Sequence, residues 1–161
     1  MKRGTGNSDP KACLNELNEF KKEYHLTRDD ELWLVCDVDR WGDRKLAEVG
    51  RLCRQKKYLF AVSNPCFEAW LLLHKVTYNQ YSQSEKDDLN GECGNIEREL
   101  RRVLGTYNKT NIDVDNFLVD LENAITEARL IDVPEHQWPH SFGSKLFLLV
   151  ESIVKMTGLL S

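Results

Sequence analysis

Apolar positions along the chain fall into two patterns, and the switch between them marks the middle of the fold. Behind Asp9-Pro10, Cys13, Leu14, Leu17, Phe20 and Tyr24 recur at helical spacing. With proline in the first turn, they predict an amphipathic helix ending near Tyr24. A polar connector, Thr27 to Glu31, leads into Leu32-Trp-Leu-Val-Cys36, a short continuous apolar run that stops at Asp37 and Asp39. Such a run predicts a strand buried on both faces, as in a parallel sheet. From Asp43 to about Gln55 the period returns to helical, with Leu46, Val49 and Cys53 on one face and Arg44, Arg51 and Arg54 opposite. Tyr58-Leu-Phe-Ala-Val62 is a second buried strand. Strand, helix and strand with short joints make a βαβ unit, so the two strands are expected to be parallel with a right-handed crossover.

Beyond Val62 the pattern becomes helical. Asn64 reads as a helix N-cap with Pro65 at the first helical position. The helix that follows is apolar nearly all round (Phe67, Ala69, Trp70, Leu71 to Leu73), with Glu68 the exception and His74 a packed or surface residue. Residues 76–95 are a polar excursion with one short helix near 84–90. Ile96 to Leu104 is helical and stops at Gly105, and Tyr107 to Thr110 is a loop. A helix beginning at Asp113 carries Val114, Phe117, Leu118, Leu121, Ala124, Ile125 and Ala128. Pro134 to Gly143 is a loop holding His136, Trp138, Pro139 and His140, and a last helix runs from Ser144 to about Met156. The expected fold is α/β, with a βαβ core in residues 1–75 and a helical extension in 76–161 packed on it within one domain.

Composition narrows the function classes. At 161 residues the chain is long enough for a sizeable core, and its 41% hydrophobic and 30% charged content is ordinary for a globular protein. No run approaches the roughly 18 apolar residues of a membrane helix, and the N-terminus does not read as a signal peptide. Cysteines at 13, 36, 53, 66 and 93 are odd in number and form no Cys-x-x-Cys pair. They suit reduced thiols in a cytoplasmic protein. A net charge of −4 argues against a generic polyanion binder, but residues 40–57 carry seven Lys/Arg against Asp43 and Glu48. A basic segment directly after two acids suits a phosphate-bearing substrate approached through a metal, and equally a solvated helix face.

The candidate chemistry sits at the first strand's end. Sites in open α/β sheets form beyond the carboxyl ends of the strands, and side chains two apart in a strand point the same way. Asp37 and Asp39 are therefore candidate ligands for a hard divalent cation, Mg2+ or Mn2+; the plain alternative is one helix cap and one solvated carboxylate. Metal-assisted phosphodiester cleavage needs such carboxylates. Glu68 is expected near the same sheet edge as a further catalytic carboxylate, or else pairs with an arginine or the helix dipole. Ser63 and Asn64 are expected on that edge too, and Arg40 and Lys109 are candidate phosphate contacts. Phosphotransfer through an Asp nucleophile would use the same strand end, but a dehalogenase-like Asp-x-Asp-x-Thr is not matched by Asp39-Arg40-Trp41. A serine hydrolase lacks its Gly-x-Ser-x-Gly, and Cys66 has no evident histidine base.

Two blocks, Asp30-Glu-Leu-Trp-Leu-Val-Cys-Asp-Val-Asp39 and Ala61-Val-Ser-Asn-Pro-Cys-Phe-Glu-Ala-Trp-Leu-Leu-Leu-His74, together resemble the RloB family. The Tyr107-Asn-Lys109 loop and the Trp138-Pro-His-Ser-Phe-Gly-Ser-Lys145 tail extend the likeness over most of the chain. The resemblance implies a Toprim-like core and a Toprim-related nuclease of bacterial anti-phage defence, often encoded with an ATPase partner. It implies that Asp37 and Asp39 match the acidic pair that binds Mg2+, and that Ser63, Asn64 and Glu68 belong to the site. Toprim-type members begin with a strand ending in Glu-Gly-x-x-Thr-Glu, which Met1-Lys-Arg-Gly-Thr-Gly does not contain. The expectation is a chain short of that strand and its glutamate, impaired as a nuclease by itself, with an exposed sheet edge prone to self-association. The alternative is a non-catalytic module that binds an ATPase partner.

Overall fold

The computed structural model describes residues 9–38 and 41–158. Asp9 caps helix α1 (Pro10–Glu23), its carboxylate accepting from the Lys11 N–H at 2.8 Å. Strand β1 (Trp33–Asp37), helix α2 (Gly42–Lys56) and strand β2 (Leu59–Asn64) follow. β1 and β2 are parallel, with Leu34 beside Phe60 and Asp37 beside Ser63, so the βαβ unit stands as its apolar runs predicted. The helical half comprises α3 (Glu68–Leu73), α4 (Gln83–Gly91), α5 (Cys93–Leu104), α6 (Asp115–Leu118), α7 (Leu121–Ile131) and α8 (Leu146–Thr157). Among the described residues the molecule is mixed α/β, with eight α-helices and one three-stranded sheet.

Strand periodicity divides the core. Leu34, Phe60 and Val62 point to one face and pack with Leu14 of α1 and Leu46, Val49 and Cys53 of α2. Ala61 points to the other face, joining Trp70 to Leu73 of α3, Ile96 and Leu100 of α5, Ala124 and Ala128 of α7, and Leu146 and Phe147 of α8. Helices thus cover both faces of the sheet, the arrangement that a βαβ unit requires.

Four expectations are corrected. First, the sheet is not wholly parallel: a two-residue strand β3 (Gly143–Ser144) pairs antiparallel with Ser63 and Asn64, which lengthens β2 past Val62. Second, β1 is not buried on both faces. Leu34 is 2% exposed but Val35 is 45% exposed, because β1 lies at the sheet's end, where among the described residues only β2 pairs with it. Third, Asn64 does not cap a helix. It is the last residue of β2, it precedes a cis Asn64-Pro65 bond, and α3 begins only at Glu68. Fourth, the helix from Asp113 is broken at Val119-Asp120 into α6 and α7. Asp120 is held by Lys75 Nζ at 2.5 Å, and the Asn123 amide donates to the Leu73 and His74 carbonyls at 3.0 and 3.3 Å. Docking the start of α7 on the end of α3 satisfies carbonyls that a helix terminus leaves open.

The cysteines also depart from expectation. Cys66, in the turn before α3, and Cys93, at the start of α5, are joined as a disulfide across 5.9 Å between Cα atoms. Close packing of α3 against α5 brings them together. Cys13, Cys36 and Cys53 are not disulfide-bonded among the described residues.

Candidate functional site

At the carboxyl end of the parallel pair, Asp37 registers with Ser63, and Ser63 in turn with Ser144 of β3. Directly paired residues share a face, so one row across the sheet carries a carboxylate and two hydroxyls. Asp37 is half-buried, whereas Ser63 and Ser144 are buried and share an Oγ–Oγ hydrogen bond of 2.8 Å. The ladder continues one residue beyond β1, where the Val38 N–H donates to the Ser63 carbonyl at 3.0 Å. Asp39 and Arg40 lie outside the described residues. Next to Asp37, desolvation first and the aspartate's charge second push the Cys36 thiol up to about 12, so without a metal Cys36 is a neutral thiol.

Asn64 ties this edge to the 134–142 loop by donating its side-chain amide to the Pro139 carbonyl at 2.8 Å. The loop returns along α2, where Trp138 donates to Asp43 at 3.3 Å and Gln137 accepts from Arg54. Within the loop, His136 and His140 stack with ring centroids 4.0 Å apart beside a cavity of about 140 Å³ that Gly143 and Ser144 also line. Of the basic 40–57 segment, Lys45 pairs with Asp9 and lies 4.2 Å over the Trp41 ring. Lys145, which the sequence did not single out, is 5% exposed and forms an ion pair with Asp132 at 2.7 Å.

Glu68 is held by two residues of the loop after α5. It is 2% exposed, and its Oε1 meets Lys109 Nζ at 2.8 Å and accepts from the Tyr107 hydroxyl at 3.3 Å. A buried carboxylate is tolerated when it is paired and hydrogen-bonded in this way. The hydrogen bond from Lys109 to Glu68 raises the lysine's pKa. Burial, then the Glu68 charge, raise that of Tyr107. Lys109 also reaches Glu97 at 3.4 Å, and Glu97 pairs with Arg101 at 3.2 Å. Tyr107 was legible as a loop residue within the family-like Tyr107-Asn-Lys109 segment, but not as a partner of Glu68, 39 positions away.

His74 is a core residue: 4% exposed, its Nδ1 is 3.0 Å from the Trp70 carbonyl and its ring stands edge-on to Trp70 and Phe117. Among the described residues no three His, Cys, Asp or Glu side chains converge as a metal-binding group. Asp37 is nonetheless a hard oxygen donor at a strand end and partly exposed, which suits a hydrated divalent cation. No described helix is long and apolar enough to cross a membrane.

A family model described as RloB-like protein matches residues 1–153. No curated protein and no solved structure matches the chain.

Proposed function

The chain belongs to the RloB-like family, and from that premise we propose that it is a metal-dependent nuclease domain of Toprim type. It would hydrolyse phosphodiester bonds of DNA or RNA in the cytoplasm as part of a bacterial anti-phage defence system. The observation that carries this reading is Asp37, a half-buried carboxylate at the end of the parallel strand pair, in register with Ser63. Asp37 and Asp39 would hold Mg2+ or Mn2+, which supplies a polarised water and charge stabilisation for phosphoryl chemistry. The chain's own part is to fix the carboxylate. The parallel ladder sets the Asp37 backbone, and the buried Ser63–Ser144 pair locks the neighbouring strand ends together. Asn64 anchors the loop beside them.

The test is cleavage of end-labelled DNA and RNA with Mg2+ or Mn2+, comparing wild type with Asp37→Asn and Asp39→Asn. The reading expects metal-dependent cleavage that falls to background in both variants with unchanged thermal unfolding. Cleavage at the wild-type rate in Asp37→Asn would overturn it.

One observation favours the second reading, a non-catalytic module that binds an ATPase partner. Val114, Leu118 and Val119, on and beside α6, are 57%, 56% and 80% exposed. A chain that never cleaves but is captured by a partner through these aliphatic residues would favour the module.

A further inference from the structure

The Glu68 constellation arranges its charges by depth. Glu68 and Glu97 have side-chain exposures of 3% and 22%, whereas Lys109 and Arg101 stand at 59% and 53%. The four form one chain of contacts, Glu68–Lys109 at 2.8 Å, Lys109–Glu97 at 3.4 Å and Glu97–Arg101 at 3.2 Å. The acids lie beneath and the cations point outward. An ammonium carries three donors, and the two contacts to Glu68 and Glu97 leave Lys109 a third. Its stem rises from a loop that follows α5 after Gly105, and the Tyr107 hydroxyl braces the same Glu68 oxygen at 3.3 Å.

A metal on Glu68 would have to displace Lys109 or sit against its ammonium, since both would claim the same buried carboxylate. Like charges at such range repel strongly where water is scarce. The cations, by contrast, have the exposure and the geometry to meet an anion from solvent. A loop lysine clamped in this way has also lost much of its rotamer freedom before binding, which lowers the entropy of capture.

We propose that Lys109 and Arg101 form a phosphate-contacting subsite for a nucleic-acid strand, and that Glu68 and Tyr107 are positioning residues for Lys109 rather than metal ligands. The subsite rests on the nuclease reading for its ligand class and gives Glu68 a role distinct from that of Asp37.

The experiment is fluorescence anisotropy of labelled single- and double-stranded oligonucleotides, in EDTA and across a salt series, alongside calorimetric Mg2+ titration. Lys109→Ala is expected to weaken binding and lower the salt slope by about one, the signature of one lost phosphate contact. Lys109→Arg is expected to restore the slope. Glu68→Gln separates positioning from simple electrostatics. Removing a negative charge strengthens polyanion binding if Glu68 acts only through its field, whereas a positioning role predicts weaker binding. Thermal unfolding identifies any variant that has lost its fold, and Tyr107→Phe, a smaller change to the same clamp, then stands in for Glu68→Gln. Glu68→Gln is also expected to leave Mg2+ binding unchanged. Loss of metal binding in that variant, stronger oligonucleotide binding, an unaltered slope in Lys109→Ala, or no oligonucleotide binding by wild type would each overturn the subsite. Oligonucleotide binding that depends on Lys109 in a chain that never cleaves would retain the subsite and remove the nuclease reading.

Discussion

At the scale of single residues, burial decides which of the polar side chains are structural. His74 is enclosed by Trp70 and Phe117. Desolvation is the largest influence holding its imidazole below the usual histidine value; Lys75 acts in the same direction, and the Trp70 carbonyl and Asp120 oppose it. A folded-state pKa below the unfolded one means that the neutral ring's contribution is complete above about pH 6.5 and is lost as pH falls through the folded value. Chemical denaturation between pH 8 and pH 5 is therefore expected to separate wild type from His74→Gln most at the alkaline end, with the gap narrowing toward the acid end. A constant gap would show that the His74 charge state is immaterial. The sequence left His74 as a packed or surface residue, and its 4% exposure decides for the first. Glu68 was legible only in part: its anomaly in an apolar run was visible, but its partners, Tyr107 and Lys109, come from a distant loop.

At the scale of elements, the apolar runs placed both strands of the parallel pair, and two of the local start and stop signals held where a third did not. α1 begins at Asp9-Pro10 and α5 stops at Gly105 because cap and breaker residues act locally. Asn64-Pro65 carries the same local signal as a helix start, yet Asn64 is claimed by β3 through its backbone and by Pro139 through its side chain. β3 is two residues long, too short to leave a period in the sequence. The α6–α7 break is likewise tertiary, imposed by Lys75 and the end of α3. Gly105 offers an element-level test. Its φ of +77° is a conformation that side chains other than glycine's rarely adopt, so Gly105→Ala is expected to destabilise the fold by about 1 kcal/mol. Because the same residue aims the loop that carries Lys109, the variant is also expected to bind oligonucleotides more weakly. Denaturant midpoints and anisotropy together check this. A stability loss without a binding loss would detach the loop from the subsite.

At the scale of the whole molecule, β1 is the element whose surroundings differ most from expectation. Its inward residue Leu34 is enclosed, while Val35, on the opposite face, is 45% exposed. Among the described residues only β2 pairs with β1, and a strand edge left open is a template for another strand. Concentration-dependent self-association is therefore the expected behaviour in sedimentation, with Val35→Lys shifting the equilibrium toward monomer. A chain that stays monomeric at every concentration would contradict an open β1 edge. The two-faced α/β architecture was legible because the two apolar runs flank an amphipathic helix at βαβ spacing. The one-sided burial of β1 was not, since an apolar run does not say what lies beside it.

Whether the strand end at Asp37 holds a divalent cation is tested by calorimetric titration of Mg2+ or Mn2+ into the chain and into its Asp37→Ala/Asp39→Ala variant. Wild type is expected to bind the cation, and the variant to lose that binding while its thermal unfolding without metal is unchanged. Equal binding by both, or none by wild type, would contradict this expectation.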